Sequence, residues 1–350
     1  MIRPKFSICI PFFNTDESYL MECLDSVFNQ DWSDYEVIIV DDGSDVIHKQ
    51  MLQNTLDKVN DSRVRVVWAY HSGLYETRIK AMHAAKGSYL ISMDSDDRFL
   101  LSDALKTLNA TCIKFSNPDV ILYNASPNPS GMPKLVDYSV FRSSNEGIAF
   151  SLDIHSFLDT FAIDYQYNNF FLKCFKRDFI QNFTVKADGL VMCEDRLLTS
   201  QLLFNASNVV VLDLALHYYR QHSSSFVHKE FSINSFYQRA LVEKYVQQIL
   251  TTVGVVFHKA SAARLKWIVG DFGAIRRTIK SYKRRVELYS DIVQSSFFND
   301  SFDSYRFDSG HIESYSIALF AKKRYWFFLD LSLHLFNIIR FFSKKISRNI

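Results

Sequence analysis

The five cysteines of this 350-residue chain, at 9, 23, 112, 174 and 193, include no C-x-x-C pair and are odd in number. A disulfide framework and a zinc knuckle are both disfavoured, and a reducing compartment is expected. Glycine is scarce at 10 residues while phenylalanine reaches 31, which excludes a disordered or low-complexity chain. Neither sign of charge is in excess: the formal net charge is +2, so nothing points to nucleic acid as a partner. No segment reaches the ~18 uninterrupted apolar residues of a membrane span. The opening MIRPKFSICIPFFN does not read as a signal peptide, because its apolar run is short and is broken at Pro11.

What is present is a globular composition, 48% apolar and 22% charged, in a chain long enough for one large or two modest domains. The first ~125 residues alternate between short β-rich runs and helical patterns. Strands are expected at FSICI (6–10, stopped by Pro11), EVIIV (36–40), RVRVVWAY (63–70), SYLISM (88–93) and DVILYN (119–124). Helices are expected after the first strand, over about 45–59, over 74–85 with Gly87 as its stop, and near 102–113. Strands too apolar to face water, alternating with helices, predict an α/β fold with a mostly parallel sheet covered on both faces. In such sheets ligands collect at the carboxyl ends of the strands. Those ends carry Pro11-Phe12-Phe13-Asn14, Asp41-Asp42-Gly43-Ser44-Asp45 and Asp94-Ser95-Asp96-Asp97. Two of the three are acidic, which disfavours a bare anion there unless a cation intervenes.

Residues 127–147 are polar and rich in Pro, Ser and Asn and read as a loop. Mixed α and β character runs on to about 225, including VVVLDLALHYYR (209–220). Beyond 226 the pattern is mainly helical, with a basic patch at 276-RRTIKSYKRR-285. The last helix, about 323–345, carries Asp330, His334, Asn337, Arg340 and Lys344 as a narrow polar stripe on an apolar cylinder, followed by Lys345 and Arg348. Two readings stand: a helix lying in a membrane interface beside anionic headgroups, or a helix packed on the protein body or a second subunit.

Several segments together resemble the family 2 glycosyltransferases of the GT-A (Rossmann-like) fold, of bacterial cell-surface polysaccharide type. They are SICIPFFN, 29-NQDWSDYEVIIVDDGSD-45, 73-GLYETRIKAMHAAKGSYLISMDSDD-97, 172-LKCFKRDFI-180, 194-EDRLLTSQLL-203 and 218-YYRQHSSS-225. The resemblance covers about 5–225 and implies a GT-A domain over 1–225, with 226–350 as a helical C-terminal region. Thr77 and Ile79 depart from the Ala and Asn that the family prefers around Arg78.

The resemblance implies roles. Asp96 is the main ligand of a divalent cation, Mn²⁺ or Mg²⁺, which neutralises a nucleoside diphosphate as it leaves. Asp94 stands near the ribose or the metal, with Ser95 in the same motif. The other reading of this DXD stretch is a helix N-cap cluster, and Asp97 is not separable from capping. Asp41 or Asp42, with Asp41 preferred, accepts the imide N–H of uracil; the alternative is a plain Asp-Gly turn. Pro11, Phe12 and Asn14 form the other wall of the donor pocket. Arg78 reaches the base or the diphosphate, or is a surface arginine. Asp195 is the general base and Glu194 the acceptor contact or orienting group, against an acidic first helical turn that favours the helix dipole. His222 is a third metal ligand or a structural histidine, and Arg220 grips the diphosphate.

The expected function is therefore inverting, metal-dependent transfer of a sugar from a nucleotide-sugar donor, UDP-linked, to a glycan or lipid-linked acceptor. Surface polysaccharide or lipopolysaccharide synthesis follows by analogy, by an enzyme that is cytoplasmic and peripheral on the inner face of the membrane. Two alternatives are weighed. A sugar-phosphate nucleotidyltransferase needs a Gly-rich basic loop where PFFNTDE stands. An inactive glycan-binding scaffold has no need of the acids that are all present.

Overall fold

A computed structural model describes residues 3–144, 146–185, 187, 190, 192–221, 231–254, 257–305 and 312–334. The chain divides into two compact units: Met1–Phe161 with Tyr165–His222, and Ala162–Asp164 with Ser223–Ile350.

The first unit runs β1 (Phe6–Phe12), α1 (Glu17–Phe28), β2 (Tyr35–Asp41), α2 (Val46–Val59), β3 (Val64–Trp68), α3 (Leu74–Ala84), β4 (Tyr89–Ser92) and β5 (Arg98–Phe99). It continues through α4 (Ala104–Lys114), β6 (Val120–Ser126), β7 (Ala149–Leu152), α5 (Ile154–Ile163), β8 (Lys173–Lys176), α6 (Glu194–Phe204) and β9 (Val209–Tyr218). The sheet order is β3-β2-β1-β4-β8-β6-β9-β5, with β7 on the other side of β9. Strands β3, β2, β1 and β4 are mutually parallel, as are β6 and β9; β8 runs antiparallel between the two blocks. Every residue of β1, β2, β4 and β6 is buried, as strands covered on both faces require.

Two local expectations change. Pro11 does not stop the first strand: β1 continues to Phe12 beside Asp41 of β2. Pairing with β4 ends at Cys9–Ser92, so the missing Pro11 N–H removes no ladder bond on that side. Gly87 does not terminate α3, which ends at Ala84. A Cβ on Gly87 would lie 2.6 Å from Ser7 Oγ and 2.7 Å from the Phe6 carbonyl carbon, so glycine there permits close approach to β1.

The second unit is helical: α7 (Ile233–Thr252), α8 (Phe257–Thr278), α9 (Tyr282–Gln294), α10 (Ser296–Asp303), α11 (Ile312–Lys322) and α12 over 326–334. Its core joins Phe236, Leu265, Phe272, Leu288, Tyr289, Phe298 and Ala318 to Leu329 and Leu333 of α12. Asp330, one of the residues of the expected polar stripe, faces inward. Arg285 grips it with Nε at 2.7 Å and Nη2 at 2.9 Å, and the Tyr289 hydroxyl donates to it at 3.0 Å. Arg276 adds an ion pair at 3.1 Å. The exposed side of α12 is instead apolar, with Phe327 at 66% and Phe328 at 55% exposure. Residues 335–350, with Asn337, Arg340 and Lys344 of the expected stripe, lie outside the described residues. Among the described residues no helix is long and apolar enough to cross a membrane.

Candidate active site

The parallel strands deliver their carboxyl ends to one edge, and the acidic segments meet there. At the end of β2 the two neighbouring aspartates have separate occupations. Asp42 folds the next turn: Oδ1 accepts from the Ser72 N–H at 2.8 Å and its hydroxyl at 3.0 Å, and Oδ2 accepts from the Gly73 N–H at 3.0 Å. His71 Nδ1 lies 2.9 Å from the same Oδ2. Gly43 makes this approach possible, since a Cβ there would sit 2.6 Å from the His71 nitrogen, and its φ is +74°.

Asp41 is fully buried. Its Oδ1 accepts the Ser44 N–H at 3.1 Å, while Oδ2 accepts no hydrogen bond and has Lys49 Nζ at 3.8 Å. A buried carboxylate oxygen with unfilled lone pairs costs ~1–3 kcal/mol or more until a donor reaches it. Asp41 is thus the better placed of the two to receive an N–H from a ligand.

On the β1 side, Pro11 and Phe12 are buried, and Phe12 turns into the core at 1% exposure. The aromatic face at the mouth belongs to Phe13, 48% exposed and stacked on His71 with ring centroids 4.6 Å apart. Asn14 adopts φ +48°, receives the Asp45 N–H on its side chain at 3.0 Å and donates its own N–H to Ser44 Oγ at 3.0 Å. It pins the two strand ends together.

The acidic stretch after β4 forms a turn in which the Asp97 N–H bonds the Asp94 carbonyl at 3.0 Å. Ser95 is buried and shares a 2.6 Å hydrogen bond with Thr15. Asp97 does not cap α4, whose N-cap is Asp103. It is 1% exposed and accepts the Arg220 N–H at 2.9 Å. Burial first, then the Asp94 and Asp96 charges, push its pKa well above the ordinary carboxylate value.

Arg220, expected to grip a diphosphate, holds this turn. Its Nε donates to the Asp96 carbonyl at 2.8 Å and its Nη2 to Glu22 at 2.6 Å, and it stacks on Tyr19 at 4.3 Å. His222 lies outside the described residues. Among the described residues no three His, Cys, Asp or Glu side chains cluster closely enough to form a protein-only metal cage. The donor set offered by Asp94 and Asp96 is all oxygen, which suits a hard divalent cation held jointly with phosphate oxygens.

Glu194 and Asp195 open α6 behind Cys193, which adopts φ +62°. Arg78, expected beside the donor, is 2% exposed and faces both. Its Nη1 donates to Asp195 and, at 3.4 Å, to Glu194; its Nη2 donates to Asp94 at 2.8 Å. Burial opposes the guanidinium charge, but Asp195, Asp94 and Glu194 more than offset this and raise its pKa. Burial and the Asp195 charge push Glu194 up to about 7. Asp195 is also raised by burial, with Arg78 and Lys173 pulling the other way.

Lys173, fully buried on β8, donates to the Tyr167 and Asn169 carbonyls at 3.2 and 2.5 Å. Thr199 of α6 donates to the Asn168 carbonyl at 2.6 Å and Arg196 to the Asn168 side chain at 3.1 Å, so the helix that carries Glu194 and Asp195 is fastened to this segment. Phe13, His71 and Lys173 border this candidate site and were not singled out by the motifs. Strand alternation gives no signal for Phe13, because both faces of β1 are buried.

Comparison with known proteins agrees with this fold. The family model described as "Glycosyl transferase family 2" matches residues 7–134. The glycosyltransferase GlyG of Streptococcus pneumoniae serotype 4 is 24% identical over 301 residues, covering 84% of this chain and 92% of GlyG. A chondroitin synthase of Pasteurella multocida is 30% identical over 166 residues, which is 44% of this chain and 16% of that protein. The crystal structure of S. aureus TarS 1-349 in complex with UDP-GlcNAc has a TM-score of 0.67 at 18% identity, covering 95% of this chain and 91% of that one. That last likeness is one of fold. With the strand-end acids, the sheet order and these matches in agreement, the chain carries a family 2 glycosyltransferase domain over residues 7–134, on a GT-A fold.

Proposed function

We propose that the chain is an inverting glycosyltransferase that moves a sugar from a UDP-linked donor to a hydroxyl of a glycan or lipid-linked acceptor, in synthesis of bacterial surface polysaccharide or lipopolysaccharide. The observation that carries this reading is the meeting of Asp94, from the nucleotide-side turn, with Asp195, from the acceptor-side helix, on the single buried Arg78. The UDP-GlcNAc complex of the TarS neighbour supports the choice of nucleotide.

In this reading Asp41 Oδ2 accepts the uracil imide N–H and Phe13 stacks on the base. Asp195 takes the proton of the acceptor hydroxyl as its oxygen bonds to the anomeric carbon from the face opposite the diphosphate. The anomeric C–O bond breaks, and its electron pair leaves with the nucleoside diphosphate, so the configuration inverts. Asp96 with Asp94 would hold a divalent cation, Mn²⁺ or Mg²⁺, which would supply Lewis-acid stabilisation of the leaving diphosphate. Glu194, pushed up to about 7, exists partly as the neutral acid and orients the acceptor rather than competing for its proton.

We place the enzyme at the cytoplasmic surface of the membrane. The support is the outward face of α12, where Phe327, Phe328 and Leu331 stand exposed beside Lys323 and Arg324.

The test is a panel of nucleotide sugars with Mn²⁺, following nucleoside diphosphate release. Release from a UDP-sugar is expected. Pyrophosphate release would identify a nucleotidyltransferase, and absence of both turnover and donor binding would identify a scaffold.

A further inference from the structure

A buried arginine that contacts three carboxylates on two sides of a site needs a reason. Removing a guanidinium from water costs several kcal/mol, recovered only where partners are fixed in good geometry. Arg78 has such partners on two structural elements besides its own. Asp94 belongs to the turn after β4, on the donor side. Glu194 and Asp195 belong to the first turn of α6, on the acceptor side.

Its two terminal nitrogens are committed to these carboxylates, and the side chain is 2% exposed. The remaining nitrogen, Nε, is buried without a partner, so with a side chain this enclosed Arg78 presents no open donor to a diphosphate, and the donor contact expected from the sequence is not its occupation here. The two acids of α6 are also held unequally. Asp195 receives the closer contact, while Glu194 stands at 3.4 Å. The groups facing Asp195 are Arg78 on α3, Glu194 beside it, Asp94 after β4 and Lys173 on β8.

We propose that Arg78 is a positioning residue: it aims the Asp195 carboxylate and fixes its place relative to Asp94, so that one side chain registers the base against the donor-binding turn. This rests on Asp195 being the base. It assigns Arg78 to the proton-transfer half of the reaction through Asp195, without contact with donor or acceptor. Near-attack geometry tolerates little misplacement: an error of ~1 Å costs on the order of 10²-fold in rate. Arg78 therefore acts on kcat and leaves donor affinity nearly unchanged.

The experiment begins with the UDP-sugar that the wild type turns over in the donor panel, and measures kcat, donor KM and the Kd for UDP with Mn²⁺. A wild type that turns over no donor overturns the functional reading and this inference with it. Where the wild type is active, Arg78→Met is expected to lower kcat ~10²-fold or more, with the Kd for UDP within ~3-fold. Arg78→Lys keeps the charge and guards against a methionine variant that does not fold. It is expected to recover about a tenth of the wild-type kcat with donor KM unchanged.

Combining Arg78→Lys with Asp195→Asn should cost little beyond Asp195→Asn alone, because the arginine acts through that carboxylate. A Kd for UDP that weakens in step with kcat would make Arg78 a donor contact and overturn the proposal. So would an unchanged kcat in both variants, or full additivity with Asp195→Asn.

Discussion

Arg78 and Asp94 form an ion pair of 2.8 Å in which the arginine is 2% exposed and the aspartate 27%. The inner partner is locked and the outer one keeps an open side. That asymmetry divides the acidic turn into a fixed part and a part available to a ligand. Asp97 is fixed through the Arg220 N–H, and the Asp96 carbonyl is held by the Arg220 guanidinium. The Asp96 side chain, partly exposed, is the one assigned to the cation.

Asp96→Ala should therefore separate metal from nucleotide. In the wild type, Mn²⁺ is expected to tighten UDP binding by ~10-fold or more, since the cation neutralises the diphosphate. In the variant, titration calorimetry should give the same Kd with Mn²⁺ as with chelator. A variant that keeps the metal dependence removes Asp96 from the ligand set.

Phe12 and Phe13 are neighbours with opposite burial, and their variants should fail in opposite ways. Phe12→Ala leaves a core cavity and is expected to destabilise the fold by ~3–5 kcal/mol. Phe13→Ala should leave stability within ~0.5 kcal/mol while weakening UDP by the ~1–3 kcal/mol of a lost base–aromatic stack. Urea midpoints and the Kd for UDP read the two effects. The reverse pattern would move the base-stacking face to Phe12.

Acid sensitivity has an identifiable source in His217. It lies fully buried between the rings of Phe99 and Tyr123, at 4.9 and 5.1 Å, and neither ring nitrogen has a hydrogen-bond partner. Burial pushes its pKa down to about 3. From about pH 6.5 down to about 3 the unfolded chain binds a proton that the folded chain refuses, so stability falls as pH is lowered, by at most ~1.4 kcal/mol per pH unit. Lys173, lowered by burial to about 7, acts with the same sign between its ordinary 10.5 and 7. His217→Phe is expected to flatten the loss of the urea midpoint between pH 7 and 5. An unchanged slope would place the sensitivity in other groups.

The two faces of α12 make a matched pair of tests. Asp330→Ala leaves Arg285 and Arg276 without their carboxylate and should cost ~3–5 kcal/mol. Joint replacement of Phe327 and Phe328 by serine replaces no core residue and gives up the outer stack of Phe328 on Phe320. It should leave stability within ~0.5 kcal/mol while abolishing co-sedimentation with vesicles containing phosphatidylglycerol. Retained vesicle binding would move the membrane contact elsewhere; loss of a dimer instead would make this face a subunit contact.

The sheet was legible where strands are runs dominated by apolar residues, as in EVIIV and SYLISM. Strand β8 was not, because it carries Lys173 and Lys176, and β5 has only two residues. In the site, the positions of Asp41, Asp94–Asp97 and Glu194-Asp195 were readable as residues that end strands or open a helix. Their partners were not. Arg78 meets Asp195 across a sequence separation of 117 residues, and local pattern carries no information at that distance. The same holds for Arg220 with Glu22, separated by 198. At Asp330 the helical stripe was legible as polar but its facing was not, because the cations that receive it, Arg276 and Arg285, lie on other helices.

The most direct test is nucleoside diphosphate release by Asp195→Asn, measured beside the wild type with the donor the wild type turns over and with Mn²⁺ present. Asparagine preserves shape and removes the basic oxygen. The account predicts that the variant binds UDP as tightly as the wild type and that its turnover falls by ~10³-fold or more. Turnover at the wild-type rate would contradict it, and would take the role of base away from Asp195.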